Sequence, residues 1–230
     1  MKSIKTLLAT VAVVACAASA MAIQTQTIWV SDGGGGISVV PVTSTSGVVS
    51  YAGSDAFWSV VVSTGTSYPP AIGPGSITAP VMDLSVTATS VGGASSSLHP
   101  LSITFGADGF GPTAGVFLGL LSGHVVSGTA NSLTFNTYHD TSPIATPPGT
   151  LLTTSGALAG PTYSSSVLSG PMNLASPYAL EEVFVIQGGL NSASYSLDGS
   201  LITQVPDGGT TAMLLGAALS VLGLIRRKLA

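Results

Sequence analysis

Nowhere between residues 23 and 204 does the sequence sustain the apolar spacing of three to four residues that a helix needs to bury one face. It offers a succession of short runs rich in Val, Ile, Thr and aromatics, each cut off by Gly, Pro or Ser. Met82-Asp83-Leu84-Ser85-Val86-Thr87-Ala88 alternates with period two, which turns Met82, Leu84, Val86 and Ala88 to one side. Tyr195-Ser196-Leu197-Asp198-Gly199-Ser200-Leu201 does the same. This is the pattern of strands buried on one face only.

The runs predict strands over 26–30, 37–42, 56–63, 82–89, 101–105, 116–121, 124–128, 132–137, 162–168, 180–187 and 193–202. Breaks fall where the backbone demands them. Gly33 to Gly36 and Gly92-Gly93 permit positive φ. Tyr68-Pro69-Pro70 and Thr146-Pro147-Pro148-Gly149 cannot donate to a ladder. Leu121-Ser122-Gly123-His124 reads as a tight hairpin turn between closely flanking strands. Many short strands at such spacing imply an all-β fold, a two-sheet antiparallel β-sandwich or jelly roll over residues 23–204. A β-helix would need a fixed repeat, and none is visible.

Charge narrows the function. All five basic residues lie at the ends: Lys2 and Lys5 in front, Arg226, Arg227 and Lys228 behind. The stretch from 23 to 204 carries Asp32, Asp55, Asp83, Asp108, Asp140, Glu181, Glu182 and Asp198 with no Lys or Arg, a formal charge of −8. Affinity for nucleic acid comes largely from cations that release counterions at phosphates, so this body offers nothing to DNA or RNA. Anionic lipid headgroups are equally poor partners. No Lys or Arg ion pair can form inside the body, so burial and hydrogen bonds must hold it. Cys16 is the only cysteine and lies before residue 23, which excludes disulfides and thiol chemistry from the body. An exported domain without disulfides fits a bacterial source.

Both ends read as addresses. In MKSIKTLLATVAVVACAASAMA, Lys2 and Lys5 form a positive start, residues 6–17 an apolar segment, and Ala18-Ser19-Ala20 and Ala20-Met21-Ala22 small-residue sites. That order is a signal peptide over 1–22, with Ala20 and Ala22 read by signal peptidase. Two alternatives stand beside it: an N-terminal membrane helix, and acylation of Cys16 through the lipobox-like Val13-Val14-Ala15-Cys16. At the other end, residues 210–225 form an apolar run ahead of Arg226-Arg227-Lys228. As a helix rising ~1.5 Å per residue, it falls slightly short of a hydrocarbon core of ~30 Å. It is long enough to halt transfer, with the basic cluster held on the cytoplasmic side.

The tail Val205-Pro206-Asp207-Gly208-Gly209, apolar helix and Arg226-Arg227-Lys228 resembles the PEP-CTERM class of bacterial sorting signals, in a VPDGG-type variant. It departs from the commonest form in having Val-Pro-Asp where that form has Pro-Glu-Pro. The body resembles those carried by many such proteins, in stretches such as SDAFWSVVVSTGTS and FGADGFGPTAG. The resemblance implies a sorting signal over 205–230 that is read by an exosortase, in a Gram-negative bacterium that often also secretes exopolysaccharide. It implies a place in the cell envelope, at the outer surface or in the extracellular matrix of a biofilm. No activity attaches to such bodies, so the resemblance supplies an address and no chemistry.

The residues themselves offer little catalysis. Tyr138-His139-Asp140 suggests a Ser–His–Asp arrangement, but neighbours on a strand point to opposite faces and no Gly-x-Ser-x-Gly elbow is present. His99, His124 and His139 are too scattered for zinc. Asp108-Gly109, Asp198-Gly199 and Ser31-Asp32-Gly33-Gly34 look like turns, where calcium would find ligands, yet none forms an Asp-x-Asp-x-Asp-Gly loop. Glu181-Glu182 is the sole adjacent carboxylate pair; its members splay apart on a strand, and the plain reading is an edge or loop guarded by charge. Phe105-Gly106-Ala107-Asp108-Gly109-Phe110-Gly111 suggests a phosphate loop, but no Lys and no helix follow it. Aromatics usually fill a sandwich core; the alternative for Trp29 and Trp58, with Tyr51 and Phe57, is an exposed platform for sugar rings. The expectation is an exported, non-enzymatic surface or matrix protein with no cofactor and no metal. A carbohydrate-binding module is the first alternative and an extracellular hydrolase the second.

Overall fold

The computed structural model describes residues 24–204 apart from 34–40, 70–74, 77, 92–97, 130 and 142–148, together with Leu215. The signal-peptide sites Ala20 and Ala22, Cys16, the sorting residues 205–209 and 226–228, most of the helix at 210–225, and the glycines at 34–36 and 92–93 lie outside the described residues.

Thirteen strands follow one another: β1 (Gln26–Ser31), β2 (Val42–Ser44), β3 (Val48–Ser54), β4 (Trp58–Tyr68), β5 (Val81–Ser90), β6 (Leu101–Phe110), β7 (Thr113–Gly128), β8 (Leu133–Asp140), β9 (Thr150–Thr154), β10 (Thr162–Leu168), β11 (Met172–Leu174), β12 (Tyr178–Ile186) and β13 (Ala193–Gln204). They form two antiparallel sheets. The smaller runs β2-β1-β6-β12-β8-β9 and the larger β10-β7-β13-β5-β4-β3, with β11 joined to β7. The expected two-sheet sandwich is the architecture observed.

Alternation builds the core. Met82, Leu84, Val86 and Ala88 of β5 are all buried while Asp83 and Thr87 are exposed. Tyr195, Leu197 and Leu201 of β13 point inward beside them. From the smaller sheet come Ile28, Ile103, Phe105, Phe135, Phe184 and Ile186. Each large apolar side chain so buried contributes about 1.5–3 kcal/mol before the entropy of ordering is subtracted. Two polar side chains that enter the core find partners there. Trp58 Nε1 donates to the His99 carbonyl at 2.8 Å, and Thr113 shares a 2.6 Å hydrogen bond with the Tyr178 hydroxyl.

Several expected boundaries change. Residues 121–124 make no turn: β7 runs unbroken through them, so the strands expected at 116–121 and 124–128 are one. Both neighbours of β7, β10 and β13, pair with this stretch, and those ladders keep it extended. Phe105 to Phe110 is strand and not loop, because β6 is paired on both sides, with β1 and β12. Asp198-Gly199 likewise lies inside a strand, between β5 and β7. Strand 37–42 falls mostly outside the described residues, while β3, β9 and β11 appear where no strand was expected. The β3–β4 hairpin is closed by Asp55, whose Oδ1 accepts the backbone N–H groups of Phe57 and Trp58, both at 2.7 Å.

Glycine sets the distance between the sheets at two places. A Cβ on Gly199 would lie 2.7 Å from the Phe135 ring and 2.9 Å from that of Phe184; one on Gly65 would lie 2.9 Å from Phe105. Aromatic rings of one sheet thus rest on bare backbone of the other. Gly199→Val is expected to lower stability by about 1–3 kcal/mol through overpacking. Urea unfolding checks this, with Gly170→Ala as a control at a site where a Cβ meets nothing within 4 Å.

Candidate functional site

Three groups of side chains stand out, and the first is the outer face of the smaller sheet. Ile28 and Val30 enter the core, so Trp29 points away from it and is half-buried. Register places Trp29, Thr104, Val183 and Asn136 in one row across four strands, and Thr27, Gly106, Glu181 and Tyr138 in the next. At strand spacings of about 4.8 Å, Trp29 and Asn136 stand roughly 14 Å apart. The Tyr138 hydroxyl bonds to Asn136, and burial raises its pKa. An indole, a phenol and an amide on one face are groups able to meet a sugar ring by stacking and hydrogen bonds, whereas the Glu181 carboxyl between them is buried.

Trp58 has a different fate. It is fully buried, its ring lies 6.4 Å from that of Tyr195, and its N–H is used by His99. The expectation of a glycan contact at Trp58 is therefore corrected: inward parity on β4 puts the indole in the core. Its neighbour Phe57 takes the opposite side, half-buried and stacked on His99 with centroids 4.1 Å apart.

The second group is the glutamate pair. Glu181 and Glu182 sit on β12, an interior strand flanked by β6 and β8, and are 1% and 0% exposed. The edge or loop reading of this pair is corrected; non-local pairing, invisible in the local residues, made β12 central. The two do splay apart. Glu182 shares the inward parity of Leu180, Phe184 and Ile186, while Glu181 lies on the outer side. Burial pushes the Glu181 carboxyl up to about 7; the charge of Asp140 adds to this, and the Gly149 amide pulls it back without reaching hydrogen-bond geometry. Burial raises Glu182 well above the usual carboxylate range, with the charge of Asp83 adding to it.

The third group is the outer face of the larger sheet. Ser164, Ser122, Asp198 and Ser85 stand side by side across four strands, and Thr162, His124, Ser196 and Thr87 form the next row. Asp83 and Asp198 share this face; burial raises Asp83, and Asp198 adds to the rise. These rows carry hydroxyls, carboxylates and His124, while Leu168, Leu118 and Ile202 form an apolar row on the same face.

The sites considered for metal and catalysis do not assemble. Among the described residues no group of three or more His, Cys, Asp or Glu is placed to hold a metal ion. His139 and Asp140 end β8 with opposite parity. Burial lowers the His139 pKa, and the charge of Asp140 opposes this. No helix among the described residues is long and apolar enough to cross a membrane, and the tail lies outside that set.

The described body is a two-sheet antiparallel β-sandwich, and the tail that follows it carries a sorting motif that suggests export. Residues 204–229 match the VPDSG-CTERM motif, a close relative of the PEP-CTERM exosortase-sorting signal. Gly208 stands where the motif's name has Ser. The motif implies processing by a membrane sorting enzyme such as exosortase and is consistent with export to the cell envelope. A comparison with curated proteins finds none that matches this chain.

The two tryptophans give a direct check on this geometry. Acrylamide is expected to quench Trp29 and spare Trp58, so Trp29→Phe should leave a blue-shifted emission that resists quenching. Emission that stays readily quenched in that variant contradicts the burial of Trp58.

Proposed function

We propose that the chain is an exported structural β-sandwich of the cell surface or of an exopolysaccharide-containing matrix, without enzymatic activity. Signal peptidase acts after Ala22 and an exosortase-type enzyme acts at Val205-Pro206-Asp207-Gly208-Gly209. The helix at 210–225 and Arg226-Arg227-Lys228 hold the chain in the membrane until that second step. The match of residues 204–229 to a sorting motif carries this reading. The hydroxyl-rich faces of a body without Lys or Arg support it, because they suit contact with an uncharged glycan better than with a polyanion.

The intact mass of the protein from its native cell fraction tests it. The expected species begins at Ile23 and ends near Val205, and trypsin leaves it whole because residues 23–204 hold no Lys or Arg. An acylated Cys16 start or a retained Arg226-Arg227-Lys228 end overturns one half of the proposal.

The second reading is a carbohydrate-binding module, and the outward, half-buried Trp29, on the face that also bears Asn136 and Tyr138, favours it. Binding to an array of extracellular polysaccharides that Trp29→Ala weakens about tenfold, near the value of one stacked ring, supports this reading. A flat array removes it. A hydrolase is the weakest of the three. It would use Glu181 with Asp140, and the Glu181 side chain is sealed from solvent.

A further inference from the structure

Glu182 occupies a place in the sandwich where a charge has nothing to answer it. Its side chain is 0% exposed, and neither carboxyl oxygen has a hydrogen-bond partner. Register sets it between Phe105 on β6 and Thr137 on β8. Both neighbours are committed elsewhere: Phe105 lies against Gly65, and Thr137 shares a 2.8 Å hydrogen bond with Thr153.

The strands packed around it supply no counter-charge. Within the smaller sheet, β6 bears Asp108, β8 bears Tyr138, His139 and Asp140, and β12 itself bears Tyr178 and Glu181. Across the sandwich, β4 bears Tyr68, β5 Asp83, β13 Tyr195 and Asp198, and β7 His124. The two histidines are the only groups among these able to turn positive. His124 is exposed on the far face of its sheet. His139 is drawn to its neutral form by burial, and its Nδ1 has no partner. From residue 23 to 204 the chain holds no Lys or Arg that a rearrangement could bring in. A buried carboxylate with neither partner nor cation is far costlier than the neutral acid.

We propose that the sandwich folds with Glu182 as a neutral carboxylic acid, so that folding takes up a proton and the fold loosens as its surroundings turn alkaline. Glu181 adds a second, smaller contribution of the same sign. Below about 4.3, the ordinary glutamate value, folded and unfolded chains both hold these protons and the full stability is present. Above that value the unfolded chain releases them while the folded chain keeps them. Each retained proton then costs about a tenfold fall in the folded-to-unfolded ratio per pH unit. Glu181 stops contributing near its folded value of about 7, and Glu182 continues beyond it.

Urea unfolding of the exported chain, followed by Trp fluorescence from about pH 5 to about pH 9, reads this linkage. The expected result is a ratio that falls by about tenfold per unit just above pH ~7; below it the Glu181 proton adds to the fall and the proton that His139 takes up on unfolding subtracts from it. Glu182→Gln, neutral and of the same shape, should abolish the fall above pH ~7, and Glu181→Gln should reduce only the fall below it. A wild-type ratio that is flat or rises over this range overturns the proposal, as does an undiminished slope in Glu182→Gln. Should that variant fail to fold, infrared spectra of the wild type decide. A protonated-carboxyl band persisting in the folded chain above pH ~7 supports the proposal, and its absence overturns it.

Discussion

Aromatic rings laid on glycine backbone hold the two sheets at their working distance. Phe135 and Phe184 reach over Gly199, and Phe105 reaches over Gly65. Because the body has no Lys or Arg, the contact between sheets must come from apolar burial and from hydrogen bonds among hydroxyls, amides and backbone. Thr113 with Tyr178, at 2.6 Å, joins the two sheets in this way, while Thr137 with Thr153, at 2.8 Å, ties neighbouring strands of the smaller sheet. Every neutral pair of this sort is worth about 0.5–1.5 kcal/mol net, so apolar packing dominates the total.

The same lack of cations gives the acids their character. On an ordinary domain surface a carboxylate finds a Lys or Arg nearby. Here Asp83 faces Asp198, Glu181 faces Asp140, and Glu182 faces the core, so burial and like charge raise all three. The exterior mixes hydroxyls with acids and a few exposed apolar side chains, and the tail's sorting motif is the clearest functional mark on the chain.

Strands with clean alternation were legible. Residues 162–168 form a strand with the expected bounds, and the inward set on β5 is the one its period of two dictates. Gly-rich and polar stretches were misread. Gly106 and Gly123 look like turns, yet ladders on both sides hold them extended, while Gly109, at φ +78°, sits at a bulge opposite β12. The short edge strands β9 and β11 carry too few residues for a period to show. The outward side of Trp29 was legible, since Ile28 and Val30 beside it mark the inward parity. Trp58 was ambiguous, because Phe57 precedes it and either ring satisfies an inward position.

What the sequence determined by itself is what local order and composition encode: an all-β body from alternation, a body without Lys or Arg, and a sorting motif over residues 204–229. What only the tertiary structure decided is which strand lies beside which. Pairing joins residues far apart in the chain, such as Glu182 with Phe105 and Thr137, and no local pattern states it. That pairing placed β12 in the middle of its sheet, and so turned an apparent charged edge into two buried acids.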